Sequence, residues 1–388
     1  MKKIYLDYAA TTPVDPQVVK LMLPYLTEKF GNTSSLHSFG QEALEALENS
    51  RKIMAKAINA KPEGIIFTSS ATESNNLVLK GITEANKDKG NHLIISSIEH
   101  DCIWESAKWL EKQGFRITKL AVDRYGLVNP KEVEKAITKK TVLVSVMHAN
   151  NEIGTIEPIA EIGRICRKKG VFFHTDASQS FGKLPIDVEK MNIDLLTASS
   201  HKIYGPKGAG LLYIRKGVKI APLLHGGGQE KNMRSSTVNT AAIVGFAEAL
   251  KIALKTMAEE NQRITNLRNR LIKNILAKIP DSYLNGHPEK RLSNNANIRF
   301  AFVEGEAVML RLNKAGIAVS TGSACSSYKL EPSHVLLACG LKPQQIHGSV
   351  RFSLGRWTTK EEIDKVIQVL PKIIEDLRKI SPFKNVQF

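Results

Sequence analysis

Short runs of β-branched and apolar residues alternate with longer amphipathic segments along the first half of the chain. The short runs predict buried strands and the longer segments predict helices, because each has the length and apolar period typical of that element. Strand, helix and strand at this spacing predict right-handed crossovers and a mostly parallel sheet covered on both faces. The predicted strands are 64–68, 92–96, 141–146, 171–174 and 195–198, and the predicted helices include 72–85, 103–113 and 159–168.

The pattern changes after about residue 215, which indicates a second and smaller unit. A helical pattern fills 241–279, and the remainder predicts two strands separated by a helix, followed by a final helix that begins with a capping box. These elements are 295–302, 307–314, 349–354 and 359–380. A length of 388 residues suits one large or two unequal domains, and with this change of pattern we expect a large domain over 14–258 and a small domain made of 1–13 and 259–388.

Composition narrows the class of protein. With 42% hydrophobic residues the chain can bury a sizeable core, which excludes global disorder. The chain has 55 Lys and Arg against 38 Asp and Glu, a formal charge of +17, which suggests an anionic partner such as nucleic acid, a membrane surface or a phosphorylated ligand. Aromatic residues are only 6% and form no RNA-binding cluster, so nucleic-acid binding is not expected to be the main function.

The four cysteines are far apart and form no C-x-x-C pair, which argues against a zinc ribbon, a dithiol redox motif and a disulfide scaffold. We expect reduced thiols and no metal site. Asp7 interrupts the start of the chain before a signal-peptide core could form, and no stretch approaches the roughly 20 apolar residues of a membrane span. The expected location is the cytoplasm, without direct membrane binding.

Polar residues that could carry chemistry follow the predicted strands. In open α/β sheets the ligand crevice lies outside the carboxyl ends of the strands. The run 68–73 joins a strand to a helix, where backbone N–H groups and Thr72 could hold a phosphate, although an ordinary Ser/Thr cap explains the run better when it is taken alone. His100 and Asp176 close two further strands, and their structural alternatives are a satisfied histidine and a helix cap.

Lys202 directly follows a buried strand and precedes a Gly-Pro turn, unlike most solvated lysines. Desolvation lowers the pKa of a lysine, and this is how a lysine that forms a Schiff base becomes nucleophilic. A phosphate site, a ring that can stack, a carboxylate and a buried lysine are together the parts that hold pyridoxal 5'-phosphate (PLP). The combination therefore predicts a PLP enzyme, although each part is weak evidence by itself.

Several long motifs occur in a fixed order along nearly the whole chain: 5–13, 71–76, 150–155, 200–202 and 351–356. In these motifs the chain resembles the NifS/IscS-type cysteine desulfurases, which belong to the class V aminotransferases of PLP fold type I. The resemblance implies an α/β fold whose large domain has a mostly parallel sheet and whose smaller domain is α+β. It also implies PLP as the cofactor.

The resemblance assigns roles to the residues that match the motifs. Lys202 would join the cofactor covalently, Asp176 would pair with its ring nitrogen, and His100 would stack on the ring and help to move protons. The remaining cofactor contacts implied are Ala71, Thr72, Asn151, Gln179, Ser199, His201 and, reaching across a homodimer to the partner's phosphate, Thr237.

Two further residues would act on the substrate. Cys325 matches the cysteine that forms a persulfide, and its surroundings in 320–327 are small and polar. Arg351 resembles the arginine that binds the substrate carboxylate, with Asn151 beside it, since a guanidinium fork fits a carboxylate bidentately. The structural alternative for Arg351 is an ion pair. The other three cysteines read as small apolar residues.

The implied activity is conversion of L-cysteine to L-alanine, with the sulfur left as a persulfide on Cys325. A protein acceptor would then take the sulfur for iron–sulfur cluster assembly, tRNA thiolation or both. A selenocysteine lyase or another class V aminotransferase is the alternative, and an inactive regulatory relative is disfavoured by the retained motif residues. Ser70, Ser236 and Thr33 depart from the usual family pattern, and the chain ends soon after Ser381, without the longer tail of some relatives.

Overall fold

The predicted alternation of strands and helices is present in the computed structural model, which describes residues 3–322 and 332–381. The helices are α1 (Pro16–Met22), α2 (Pro24–Thr27), α3 (Ser38–Ala57), α4 (Ala71–Ala85), α5 (Asp101–Lys112), α6 (Pro130–Ala136), α7 (Ile159–Lys169), α8 (Thr240–Lys278), α9 (Gly305–Lys314), α10 (His334–Ala338), α11 (Pro343–Ile346) and α12 (Lys360–Ile380). The strands are β1 (Ile4–Tyr5), β2 (Ile65–Thr68), β3 (His92–Ser96), β4 (Arg116–Leu120), β5 (Thr141–Ser145), β6 (Phe172–Asp176), β7 (Leu195–Ser199), β8 (Gly210–Ile214), β9 (Ser282–Asn285), β10 (Asn295–Phe300), β11 (Ile317–Ala318) and β12 (Ser349–Ser353).

The largest sheet has seven strands in the order β2-β8-β7-β6-β5-β3-β4. Strands β3 to β7 pair in parallel, whereas β8 runs antiparallel to both β2 and β7. The expectation of a mostly parallel sheet is therefore confirmed. Strands β4 and β8 and helix α3 were not predicted from the sequence.

Helices cover both faces of this sheet. Successive strand residues enter different apolar clusters: Ile94 packs with the cluster that includes α3, α7 and the start of α8, while Leu93 and Ile95 pack with α4 and α5. Leu195 and Leu196 divide in the same way. Side chains alternate across a strand, so two buried faces require the nearly continuous apolar runs that the sequence shows.

Five strands of this sheet end at the same edge. Because β2 and β7 are each antiparallel to β8, β2 runs in the same direction as the parallel strands. The carboxyl ends of β2, β3, β5, β6 and β7 therefore meet at the same edge. The polar residues that follow these strands in the sequence must lie near one another.

A second set of strands belongs to a separate apolar cluster. Strands β12, β10 and β9 form an antiparallel sheet, and β1 pairs in parallel with β11. Ile4 and Leu6 pack here with residues from 264 to 377. Helix α8 passes through residue 258 without a break, so the domain boundary near 258 stays a prediction.

The capping box predicted at the start of the last helix is present, with the Thr359 hydroxyl accepting from the Glu362 N–H. Across the described ranges, every helix is too short or too polar to cross a membrane.

Candidate active site

A cavity of about 190 Å³ lies at the carboxyl edge of the large sheet. Ten of the twelve residues assigned roles from the sequence line it: Ala71, Thr72, His100, Asn151, Asp176, Gln179, Ser199, His201, Lys202 and Arg351. Thr237 is exposed and does not line the cavity. Cys325 lies outside the described residues. The structure thus brings together residues separated by up to 280 positions, while their individual roles stay predictions.

One end of the cavity is formed by the start of helix α4. Ser70 is the N-cap, and its hydroxyl accepts from the Glu73 N–H at 3.1 Å. The N–H groups of Ala71 and Thr72 belong to the first turn, where the helix supplies no internal acceptor. Together with the helix dipole they favour an anion. Ser70 has an extended φ of −170°, so a side chain replaces the usual family glycine without backbone strain.

An ion pair holds the first turn of α4 in place. The Arg234 Nε lies 2.7 Å from Glu73 Oε1, and the Ser69 N–H donates to Glu73 Oε2 at 2.9 Å. Although burial opposes ionisation, these hydrogen bonds lower the pKa of Glu73 below its ordinary value. Arg234 is therefore engaged by Glu73 and fixes the loop position.

Asp176 is held as a hydrogen-bond acceptor at the end of β6. Its Oδ1 accepts from the Ser178 N–H at 2.8 Å and from the Ser178 hydroxyl at 2.6 Å. Its Oδ2 accepts from Asn75 Nδ2 at 2.6 Å. Only 5% of Asp176 is exposed, and both of its oxygens accept hydrogen bonds from protein donors. Turns rather than a helix follow Asp176, so the helix-cap alternative is wrong, and the side chain faces the cavity.

Lys202 enters the cavity from the turn that follows β7. Its Nζ donates to the carbonyl oxygens of Ala9 and Ala10, both at 2.7 Å. The neighbouring His201 ring contacts the Thr11 hydroxyl at 3.0 Å. Burial, with Lys202 and other nearby cations, lowers the pKa of His201 to about 3. His201 is therefore neutral across the physiological range and does not compete with Lys202 for negative charge.

Gln179 has one satisfied and one unsatisfied polar atom. Its Nε2 donates to the Ala9 carbonyl at 3.0 Å, while its buried Oε1 has no hydrogen-bond partner in the described part of the chain. A buried polar atom without a partner costs free energy, roughly 1–3 kcal/mol. The side chain is therefore suited to a ligand that reaches this part of the cavity.

Arg351 is a buried cation on β12, with 1% of its surface exposed. Its Nη2 lies 2.8 Å from Asp7 Oδ1, and its Nη1 donates to the Asn151 carbonyl at 2.9 Å. Its Nε is buried without a partner in 3–322 and 332–381. Arg351 thus makes the structural ion pair considered above and still presents a donor for a carboxylate.

The reading of three cysteines as small apolar residues holds for two of them. Cys166 and Cys339 are buried, and burial raises the pKa of each thiol to about 12. Cys102 differs, because it lines the cavity with its sulfur 3.1 Å from the His100 Nδ1. Its place two residues after His100, in the first turn of α5, was the available signal.

Six further residues line the cavity, and the sequence had not assigned a role to them. Five of the six are alanine or serine, whose small size allows close approach near the strand ends, and Ser178 also donates to Asp176, whereas Met147 is larger. This set is Ala9, Ala10, Ser70, Met147, Ala149 and Ser178. The motif 5–13 contained two of them, but their carbonyl contacts to Lys202 depend on the fold.

Comparisons with known proteins agree with this site. The Aminotransferase class-V family model matches residues 4–366. A protein named cysteine desulfurase IscS from Methanosarcina thermophila is 53% identical over 387 residues, covering 100% of this chain and 96% of its own length. Cysteine desulfurase IscS 1 from Archaeoglobus fulgidus is 53% identical over 378 residues, with coverage of 97% and 98%.

Solved structures are similar over the same extent. A NifS-like protein matches with a TM-score of 0.91 and 38% identity, covering 97% of this chain and 100% of its own. The NifS-like protein from Rickettsia africae matches with a TM-score of 0.88 and 33% identity, with coverage of 96% and 99%. The chain therefore belongs to the class V aminotransferases, a family of PLP-dependent enzymes, and within it to the IscS and NifS-like cysteine desulfurases.

Proposed function

We propose that this protein removes sulfur from L-cysteine, releases L-alanine and keeps the sulfur as a persulfide on Cys325. In the overall step the substrate Cβ–S bond breaks and an S–S bond to the Cys325 sulfur forms. The substrate carbon is reduced to a methyl group, the sulfur is oxidised, and the hydrogen lost by the Cys325 thiol balances the one gained by Cβ. The observation that carries the proposal is the convergence of Lys202, Asp176 and Arg351 on one cavity.

The residues present fit PLP. The first-turn N–H groups of Ala71 and Thr72, with Ser199 and His201, would hold the phosphate. Asp176, whose oxygens accept from Ser178 and Asn75, would face the ring nitrogen, and the unsatisfied Oε1 supports Gln179 as a ring contact. When bound, the cofactor supplies an electron sink for charge that develops at the substrate Cα.

The chain's own groups would then bind the substrate and move protons. Arg351 and Asn151 would hold the carboxylate of cysteine. Lys202 Nζ, oriented by the carbonyl oxygens of Ala9 and Ala10, would remove the Cα proton and return a proton later. His100 would lie on the ring face and assist deprotonation of Cys325, because the thiolate is the nucleophile and an ordinary thiol pKa is about 8.5.

The purified holoenzyme tests this function directly. We expect a cofactor absorbance band that Lys202→Ala loses or shifts, and alanine formation from cysteine that depends on Lys202. Absence of bound cofactor, or alanine formed equally by Lys202→Ala, would contradict the proposal. Alanine formed by the original protein from selenocysteine but not from cysteine would instead favour the lyase alternative.

A homodimer is also proposed, and exposed apolar residues support it. Leu23, Leu26, Phe30, Leu36 and Phe39 are between 51% and 91% exposed within one short stretch. Several large apolar side chains exposed so close together in the sequence favour burial against another copy. Light scattering at micromolar concentration should give twice the chain mass, whereas a monomer would contradict the dimer.

The Thr237 contact needs that second copy, since Thr237 lies outside the cavity of its own chain. In the dimer, Thr237→Ala should weaken cofactor binding while leaving the dimer intact. Unchanged cofactor affinity would remove Thr237 from the proposed phosphate contacts.

The sulfur acceptor is proposed to be a protein, either an iron–sulfur scaffold or a tRNA-thiolating enzyme. The net charge of +17 supports an acceptor with an acidic surface. Binding should therefore weaken as ionic strength rises. An acceptor identified by sulfur transfer whose binding is insensitive to salt would contradict this part.

A further inference from the structure

Cys102 contacts His100 through two different atoms. The backbone N–H of Cys102 donates to the His100 Nδ1 at 3.2 Å, since His100 is the N-cap of helix α5. The Cys102 sulfur lies 3.1 Å from the same Nδ1. A backbone N–H can only donate, so the Nδ1 must accept, and the neutral ring carries its proton on Nε2. The thiol is then the second donor to Nδ1.

The thiol also has a partner on its other side. Asn75 Nδ2 lies 3.1 Å from the Cys102 sulfur and 2.6 Å from Asp176 Oδ2. Asn75 is fully buried, and its amide nitrogen has two hydrogens, one for each acceptor. The sulfur can accept from Asn75 while its hydrogen points to His100. The donor directions along this path are therefore consistent with one another.

These contacts form a continuous path that joins two of the proposed active-site groups. It starts at the Asp176 carboxylate, passes through Asn75 and the Cys102 thiol, and ends at the His100 ring. We propose that Cys102 is a positioning residue: its backbone N–H sets the tautomer of His100, and its thiol holds the ring orientation and ties the ring to Asp176. This inference rests on the proposed function, because it concerns the same site.

An apolar role does not explain the contacts of Cys102. Cys166 and Cys339 show what such a role looks like in this protein, since both pack within apolar clusters. Cys102 also packs against an apolar cluster, but it is partly exposed, lines the cavity and lies between two polar groups. Alanine at this position would remove the thiol contact to the Nδ1 and keep the backbone N–H contact.

Holoenzyme variants test this inference. Cys102→Ala removes the donor, Cys102→Ser keeps a hydroxyl that can accept from Asn75 and donate to His100, and Cys166→Ala is the control for loss of a thiol elsewhere. Alanine formation is measured per bound cofactor as kcat and KM. We expect kcat of Cys102→Ala to fall about three- to tenfold, with KM within about twofold of the original protein. Cys102→Ser should recover most of kcat, and Cys166→Ala should match the original protein.

The outcomes separate the two levels of the proposal. An unmodified protein that forms no alanine would overturn the proposed function. An active protein whose kcat is unchanged in Cys102→Ala would overturn the positioning role alone. A Cys102→Ser variant as slow as Cys102→Ala would do the same, because a hydrogen-bond path should be restored by the hydroxyl. Cofactor content and melting temperature show whether either variant has lost its fold.

Discussion

The guanidinium of Arg351 meets the carboxylate of Asp7 at 2.8 Å, joining strand β12 to the N-terminal segment. The same segment supplies the carbonyl groups of Ala9 and Ala10 that contact Lys202. One stretch of chain therefore positions both Arg351, the proposed partner of the substrate carboxylate, and Lys202, the proposed proton-transfer group. The Nε of Arg351 has no partner within the described residues. Asp7 can therefore orient the guanidinium without occupying all of the N–H donors of Arg351.

Replacing Arg351 with lysine should weaken substrate binding more than turnover. Lysine keeps the charge but loses the planar fork, so one charge-assisted hydrogen bond, roughly 1.5–3 kcal/mol, is lost. We expect KM for cysteine to rise about 10- to 100-fold. Arg299→Lys, a neighbouring change on β10 where Arg299 contacts Asn285, is the control and should leave KM unchanged. Equal KM values for both variants would place Arg351 outside the substrate site.

Replacing Asp176 with asparagine should reduce turnover while the fold is kept. The amide oxygen can still accept from Ser178, but the negative charge beside the proposed ring position is lost. Removing such a preorganised charge costs about 100-fold or more in kcat. Steady-state alanine formation by the cofactor-loaded variant measures this, and Asp187→Asn at a peripheral turn serves as the control. Turnover at the original rate would refute the role of Asp176.

Replacing Thr72 with valine should weaken cofactor binding. The change removes one hydroxyl at the start of α4 and leaves the first-turn N–H groups in place, so a loss of about 0.5–1.5 kcal/mol is expected. Equilibrium dialysis should show a Kd for PLP about 2- to 12-fold higher. Thr256→Val, whose hydroxyl bonds within α8, should have no effect. An unchanged Kd in Thr72→Val would argue against a phosphate contact by this hydroxyl.

The buried carboxyl of Glu157 should make stability depend on pH. Burial raises the pKa of Glu157 from 4.5 to about 8, so between these values the folded protein holds a proton that the unfolded chain has released. The contribution of Glu157 to the free energy of unfolding is present below pH 4.5 and falls by ~1.4 kcal/mol per pH unit up to its folded pKa.

Glu157→Gln keeps the shape and removes this titration. Melting temperatures of the original protein and the variant are measured from pH 5.5 to 8, about one pH unit apart. The melting temperature of the original protein relative to that of the variant should fall as the pH rises. Glu161→Gln, at an exposed position of α7, should show no such trend. A constant difference between the original protein and Glu157→Gln would show that Glu157 titrates normally.

The part of the site that could be predicted from the sequence consists of residues at the ends of strands. Asp176 and Lys202 could be identified because each follows a buried apolar run, and a parallel sheet gathers such ends at one edge. Strand β8 gave no comparable signal, since an apolar run does not reveal whether it pairs in parallel or antiparallel. Cys102 was misread for a related reason: its partner Asn75 comes from α4, and only the packing of α4 against α5 brings them together.

The fate of the substrate sulfur tests the central proposal most directly. The holoenzyme is mixed with one equivalent of L-cysteine without reductant, alanine is counted, and the peptide that contains Cys325 is examined by mass spectrometry after alkylation. We predict about one alanine per active site and a mass gain of one sulfur atom on Cys325, with neither product from Cys325→Ser under the same conditions. Alanine formed in full by Cys325→Ser, or the added sulfur found on another cysteine, would contradict the proposal.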